Sequence, residues 1–370
     1  MLQNVDYQIC ENDKVKMFKS EDYNYFFRKT DGYFCRFGRT LGEDPQWCPH
    51  GIELCDIELT STISKEEAEK YNNNENIIIT EGKCKSPGCA NLCYKLNSNG
   101  SYLGHMSLVG FKKILDKLPK TVCQIPFGVI SPIEAHPQVW EIFEETRKRN
   151  IVPNVTINQK LTNKIASQLA KLCGAVAISV NSDNRKIAYD AVKLLSQDYK
   201  MSQINIHFVL SQESIQDALQ TIKDMKNDSR LSNLNAIVFL TFKDKNNTKL
   251  FHSISFQGFK QIIEYCEQSN IRYGMDSCAC NMYLDYIKDK PNYEYLQQFC
   301  DPCESTCASA YLNLSAQFFP CSFLEKIGEW KDGIDLYQCK DFMEIWNSDR
   351  VKEYRQRLLN NNRNCLYYKV

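Results

Sequence analysis

From about residue 120 to residue 275, short apolar runs alternate with longer stretches whose apolar residues recur every three or four positions. The short runs are Thr121–Phe127, Val152–Ile157, Ala175–Val180, Ile204–Leu210, Ala236–Phe242 and Ile271–Met275, and each reads as a strand. The stretches between them, near Val139–Arg149, Thr162–Leu172, Ile187–Ser196, Ser214–Met225 and Gln257–Glu267, read as amphipathic helices. Strand starts fall about 25–35 residues apart, the repeat of βαβ units with right-handed crossovers. Upstream, Ile52–Thr60 alternates with period two and predicts another strand, and Ser107 is placed to cap a helix over Leu108–Leu118. The polar stretch from Ser64 to Asn76 reads as an insertion with some helix. The class is α/β. An open doubly wound sheet and a partial or full (β/α) barrel both fit, and the strand count favours the barrel. Binding residues are then expected at the C-terminal ends of strands.

The two ends of the chain break this rhythm. Residues 1–50 predict a small element with a hairpin at Asp31-Gly32, and Asp44–Pro49 marks a break. Residues 51–280 hold the repeating core. Residues 281–370 form a cysteine-rich extension, closed by helices over Phe342–Trp346 and Val351–Leu359.

Composition narrows the possibilities. At 43% hydrophobic and 24% charged, 370 residues can bury a sizeable core. A formal net charge of +0 gives no footprint for nucleic acid or a membrane surface. The N-terminus shows no basic and apolar signal segment, and no apolar run approaches the ~18 residues of a spanning helix. The expectation is a cytoplasmic protein. There are 18 cysteines. In a reducing compartment, clustered cysteines are more often metal ligands than disulfides. Scattered ones such as Cys173 and Cys266 fit apolar helix faces as small buried groups.

The main cluster is Cys84, Cys89 and Cys93, spaced C-x4-C-x3-C on one loop. Three local thiolates leave one iron of a four-iron cluster without a protein ligand, open to a chelating cofactor. The alternative is a non-catalytic zinc scaffold, with His105 as a fourth ligand.

With its βα context, the loop resembles that of the radical S-adenosylmethionine superfamily over residues 51–280. The superfamily's usual spacing is C-x3-C-x2-C after the first barrel strand; here each gap is one residue longer and the loop lies further on. The resemblance implies an open-iron [4Fe–4S] cluster whose free iron chelates S-adenosylmethionine. It implies reductive cleavage to a 5′-deoxyadenosyl radical that abstracts hydrogen from substrate. The cofactor would be held by the edge at Phe127 and Gly128, where only Gly128 matches the superfamily's Gly-Gly-Glu-like segment. Further contacts would come from Asn158, Ser179 and Asn181, and from His207 if it faces the lumen. Turn formers and a satisfied core histidine are the alternative readings of these residues. Asp276 and Cys278, ending the last core strand, are candidates for a proton acceptor and a hydrogen-atom donor; a turn Asp and a buried thiol are the alternative.

In the extension, Phe319-Pro320-Cys321 ends a hairpin, followed by Ile345-Trp346-Asn347-Ser348, Arg355 and Cys365. This resembles the SPASM or twitch extensions of the same superfamily, which carry auxiliary iron–sulfur clusters. One such cluster is implied, held by Cys303, Cys321 and Cys365 with Cys307 or Cys339 as the fourth ligand or with one iron left open; zinc at these cysteines, or loss of the cluster, is the alternative reading. The partners implied are a substrate peptide or small molecule and an electron donor such as flavodoxin or ferredoxin. Radical modification of a nucleotide is a further alternative.

Overall fold

The computed structural model describes residues 7–39, 45–85, 92–95 and 100–369. The hairpin expected at Asp31-Gly32 is there, with Gly32 at φ 72° and Arg28 N–H donating to Tyr33 O at 2.8 Å. It is half of a four-stranded antiparallel sheet: β1 (Tyr7–Glu11), β2 (Val15–Ser20), β3 (Asn24–Arg28) and β4 (Phe34–Phe37). The first two strands escaped the periodicity reading for a physical reason. β1 is almost entirely exposed, and β2 has a lysine among its buried positions, Lys16, whose Nζ donates to Val122 O at 2.7 Å. Tyr25 Oη donates to Thr121 O at 2.8 Å, so this sheet packs beneath the start of the core strands.

The core follows in chain order. It runs β5 (Leu54–Glu58), β6 (Thr60–Ile63), α1 (Lys65–Tyr71), β7 (Ile77–Glu81), β8 (Tyr102–Met106), α2 (Leu108–Lys117), β9 (Gln124–Gly128), α3 (Val139–Lys148) and β10 (Val152–Ile157). Then come α4 (Asn163–Leu172), β11 (Ala175–Ser179), α5 (Arg185–Lys193), β12 (Ile204–Leu210), α6 (Ile215–Asn227), β13 (Ala236–Thr241), α7 (Phe256–Gln268) and β14 (Tyr273–Met275). The extension adds α8 (Cys280–Ile287), α9 (Tyr293–Leu296), β15 (Ser309–Leu312), β16 (Gln317–Phe319), β17 (Ile334–Asp335), α10 (Phe342–Trp346) and α11 (Asp349–Asn360).

One ten-stranded sheet runs β14-β13-β12-β11-β10-β9-β5-β15-β16-β17. It is parallel from β14 to β15, and β16 and β17 turn antiparallel. The sheet is open, with β14 and β17 at its edges, so the closed barrel does not form among the described residues. The extension is not a separate layer: β15 pairs with β5, setting Tyr311 opposite Asp56. The single strand expected over Ile52–Thr60 divides at Leu59. Its N–H bonds Gly128 O on the main sheet, while its carbonyl accepts from Met106 N–H on the small β6-β8-β7 sheet.

Helical and strand periods explain the layering. Ile204, Ile206, Phe208 and Leu210 are buried on one face of β12, while Asn205, His207 and Val209 are half-exposed on the other. The buried face meets helices that present a matching stripe, such as Val139, Ile142, Phe143 and Thr146 of α3. Cys173 and Cys266 are buried in this core, as expected. Each large apolar side chain so buried contributes roughly 1.5–3 kcal/mol. The half-exposed face is polar towards the N-terminal ends of its strands, where Asn154 bonds Gln124 at 2.8 Å and Asn235 bonds Asn205 at 2.9 Å.

Arg355, part of the C-terminal pattern, is a packing element. It is buried against Trp47 and Trp346, and donates to Thr306 O at 2.6 Å and Trp346 O at 2.9 Å.

Candidate functional site

The C-terminal ends of β9, β10 and β11 share one hydrogen-bonded rim. Ser131 Oγ donates to Asn158 O at 2.7 Å. Asn184 Nδ2 donates to Asn158 Oδ1 at 2.6 Å and to Ser179 O at 2.8 Å. Asn181 Oδ1 accepts from the N–H groups of Asp183 and Asn184. Three of the expected contacts, Asn158, Ser179 and Asn181, are thus brought together. Ser131 and Asn184, which tie them, carry no periodic signal in the sequence.

The cysteine loop is pinned onto this edge from both sides. Before it, Lys85 N–H donates to Ser131 O at 2.8 Å; after it, Asn246 Nδ2 donates to Cys93 O at 2.8 Å. Ser131 follows β9 and Asn246 follows β13, so the loop reaches the C-terminal edge of the parallel sheet. Cys84 is exposed and Cys93 half-buried; Cys89 lies outside the described residues.

Just after Cys93, Lys95 anchors the loop to the floor of the site. Its ammonium meets Glu58 at 2.8 Å, Glu325 at 2.8 Å and Tyr311 Oη at 2.6 Å. Tyr311 Oη also donates to Glu58 at 3.2 Å, and Asn313 Nδ2 donates to Glu325 at 3.0 Å. Burial pushes the Glu325 carboxyl up, but Lys95 outweighs it and leaves the group below its ordinary range. That depressed pKa supplies stability above the ordinary Glu range, which is lost as pH falls through the folded value. Replacing Lys95 by Met strands two buried carboxylates, and should cost about 3–5 kcal/mol in denaturant unfolding at neutral pH. Burial, the largest influence on Glu325, is then opposed only by the Asn313 hydrogen bond and the Lys245 charge and raises its pKa, so the loss should be clearly smaller at about pH 5 than at about pH 7. An equal loss at both would show that the loss does not run through the ionisation of Glu325.

Across the edge, Cys278, Cys303, Cys321 and Cys365, from four segments, lie near enough to influence one another's ionisation, while no three His, Cys, Asp or Glu side chains among the described residues are placed to share one metal ion. Cys278 feels the charges of Cys303 and Cys365; Cys303 feels Cys321 and Cys365; Cys321 feels Cys278 and Cys365. Burial pushes Cys278 and Cys303 up to about 12 and Cys321 to about 11; at Cys278 Lys243 opposes it and Asp276 adds to it ahead of the thiols. A metal would supply the positive charge that lets them ionise. Arg363 holds the Cys303 peptide, donating to Cys303 O at 3.0 Å and Pro302 O at 2.7 Å. Lys243, almost wholly buried, lies beside Cys278 and bonds Asp276 at 3.0 Å. Lys245 Nζ donates to Ser322 O at 3.0 Å next to Cys321, and burial pulls its ammonium down to about 8.

Several expected residues stand elsewhere or play another part. Neither Cys307 nor Cys339 is among the main influences on Cys278, Cys303 or Cys321; Cys307 faces Arg363 and Arg355, and Cys339 bonds Asp335 O. Cys278, expected as a hydrogen-atom donor, lies instead within electrostatic reach of Cys303, Cys321 and Cys365. The Asp276 carboxylate is taken by Lys243 and by Thr241 Oγ1 at 2.6 Å. Phe127 turns its ring into the helix layer, stacked on Phe143 at 5.0 Å, so it offers the rim only backbone. Gly128 is exposed, level with Glu58. His207 is on the half-exposed face near Thr156 Oγ1 at 3.3 Å, and burial holds it neutral, at about 4. His105 is fully buried with both ring nitrogens engaged, by Thr60 at 3.2 Å and Thr80 at 2.8 Å, which removes it as a zinc ligand. Lys95, Lys243 and Glu325 went unread because single charged residues inside apolar segments carry no spacing.

No family model and no curated protein matches the sequence. Among solved structures, the chain is similar to SuiB of Streptococcus suis, with a TM-score of 0.63 and 10% identity, over 94% of this chain and 90% of that one. SuiB bound to S-adenosylmethionine matches at TM-score 0.58 and 10% identity, over the same shares of the two chains. SuiB bound to its precursor peptide SuiA matches at 0.62 and 9%, again over 94% and 90%. At these identities the likeness shows the fold, a mixed α/β architecture built on a parallel sheet. No helix among the described residues is long and apolar enough to cross a membrane.

Proposed function

We propose that the chain is a radical S-adenosylmethionine enzyme acting on a peptide, with one auxiliary iron–sulfur cluster. The observation that carries this reading is the placement of the cysteine loop. Its two ends are bonded to Ser131 and Asn246, at the edge of a parallel sheet where ligands bind. Cys84, Cys89 and Cys93 would hold a [4Fe–4S] cluster with one open iron. When bound, that cluster supplies the electron that cleaves S-adenosylmethionine and starts hydrogen abstraction.

The chain's own residues do the rest. The backbone of Phe127–Gly128 and the rim of Asn158, Ser179 and Asn181 offer donors and acceptors to the cofactor's polar groups. Neutral His207 lines the half-exposed face below them. Lys95 fixes the loop against Glu58 and Glu325. The cysteines at 278, 303, 321 and 365 would hold the auxiliary cluster. Among the described residues, no three His, Cys, Asp or Glu side chains are close enough to share one ion. Buried Lys243 and Lys245 supply compensating positive charge.

A peptide substrate is supported by the shared fold of SuiB, which binds a precursor peptide. The test is anaerobic incubation of the iron- and sulfide-reconstituted chain with dithionite and S-adenosylmethionine. Formation of 5′-deoxyadenosine and methionine is expected; unconsumed cofactor would reject the proposal.

A further inference from the structure

Outside both thiol groups, Cys280 and Cys300 stand against one another. Cys280 opens α8 and is 1% exposed; Cys300 follows α9, is half-exposed and lies next to the exposed Phe299. Their Sγ atoms are 2.8 Å apart across a 20-residue gap in the chain. That is closer than two non-bonded sulfurs normally rest, and a small movement from the ~2.05 Å of a disulfide. Both segments are held independently of the sulfurs. Arg36 of β4 bonds Asp301 at 3.1 Å, and Arg363 bonds Asp301 at 2.9 Å, fixing the peptide after Cys300. On the other side Asn281, the residue after Cys280, is bonded to Asn364.

We propose that Cys280 and Cys300 are a redox-active dithiol that closes to a disulfide by exchange with a low-molecular-weight disulfide, clasping the peptides that carry Cys278 and Cys303. Exposure sets the order of events. Only Cys300 can meet a reagent from solvent, so its thiolate attacks one sulfur of the incoming disulfide. A bond forms between Cys300 Sγ and that sulfur; the reagent's own S–S bond breaks, and the first thiolate leaves to take a proton from water. Cys280 then loses its proton and attacks Cys300 Sγ, and the second thiolate leaves and is protonated. The two cysteines are oxidised by two electrons and the reagent is reduced to two thiols. The bond falls two residues from Cys278 and three from Cys303, so closing it fixes the spacing of those two segments. None of these steps needs a metal, so the proposal stands or falls separately from the cluster reading.

The test uses the full chain, reduced, freed of reductant without air and exposed to oxidised glutathione. Free thiols are then trapped with N-ethylmaleimide in acid and the peptides mapped. The expected result is a dominant crosslink between the Cys280 and Cys300 peptides, lost in Cys300→Ser. In Cys280→Ser, and in Cys280→Ala as a second check, glutathione should stay on Cys300 as an unresolved mixed disulfide. The proposal is overturned if both peptides return carrying maleimide. It is equally overturned if the dominant crosslinks join Cys278, Cys303, Cys321 or Cys365 instead.

Discussion

Replacing Cys84, Cys89 or Cys93 by Ala, one at a time, is expected to reduce 5′-deoxyadenosine formation to the level of a protein-free control. Each thiolate would hold a different iron, and the loop offers no spare: every other cysteine lies before residue 56 or after residue 122. Losing one ligand should therefore lose the cluster, not merely weaken it. The fold should be indifferent. Cys84 is exposed and Cys93 half-buried, so truncation removes little buried surface, and effects on stability should stay near ±0.5 kcal/mol. Circular dichroism unchanged alongside lost cleavage is the expected pair of results. Cleavage persisting in all three variants would mean that the loop holds no catalytic cluster.

The second large effect concerns the quartet. Ala at Cys278, Cys303, Cys321 or Cys365 should lower bound iron by about half, from roughly eight to roughly four per chain, leaving the first cluster in place. Cofactor cleavage without substrate should survive, because the cysteine loop is untouched. Ala at Cys307 or Cys339 should leave iron unchanged, since neither stands among the four neighbouring thiols. Iron counts on purified, reconstituted variants decide the matter. Halving in Cys307→Ala and none in Cys278→Ala would move the fourth ligand back to the residue that the hairpin pattern suggested.

The choice between Cys278 and the expected Cys307 or Cys339 shows where the sequence is legible. The βα repeat was readable because each core strand buries one face under a helix, and Ile204, Ile206 and Phe208 print that burial with period two. Asn158, Ser179 and Asn181 could be placed on one rim because a parallel sheet puts its loops at one edge, so position along the repeat already implies position at that edge. The cysteine quartet depends on contacts between segments up to 87 residues apart, from 278 to 365, and local spacing does not encode them. Cys303 and Cys307 are indistinguishable by periodicity; only the tertiary fold turns one to the quartet and the other to Arg355 and Arg363. Lys95 and Lys16 went unread for a related reason. Each is a charged residue facing inward, half-buried at Lys95 and buried at Lys16, stabilised by partners more than 30 residues away, Glu58 and Glu325 for one and the Val122 carbonyl for the other. The small β6-β8-β7 sheet was hidden because β7 and β8 flank the long cysteine-bearing segment instead of a tight turn.

The most direct measurement is an electron paramagnetic resonance spectrum of the anaerobically reconstituted, dithionite-reduced chain, with and without S-adenosylmethionine, alongside iron and sulfide counts. The account predicts about eight irons per chain and a signal whose shape changes on adding the cofactor, the mark of an open iron that chelates it. Zinc in place of iron, or a spectrum indifferent to S-adenosylmethionine, would contradict it.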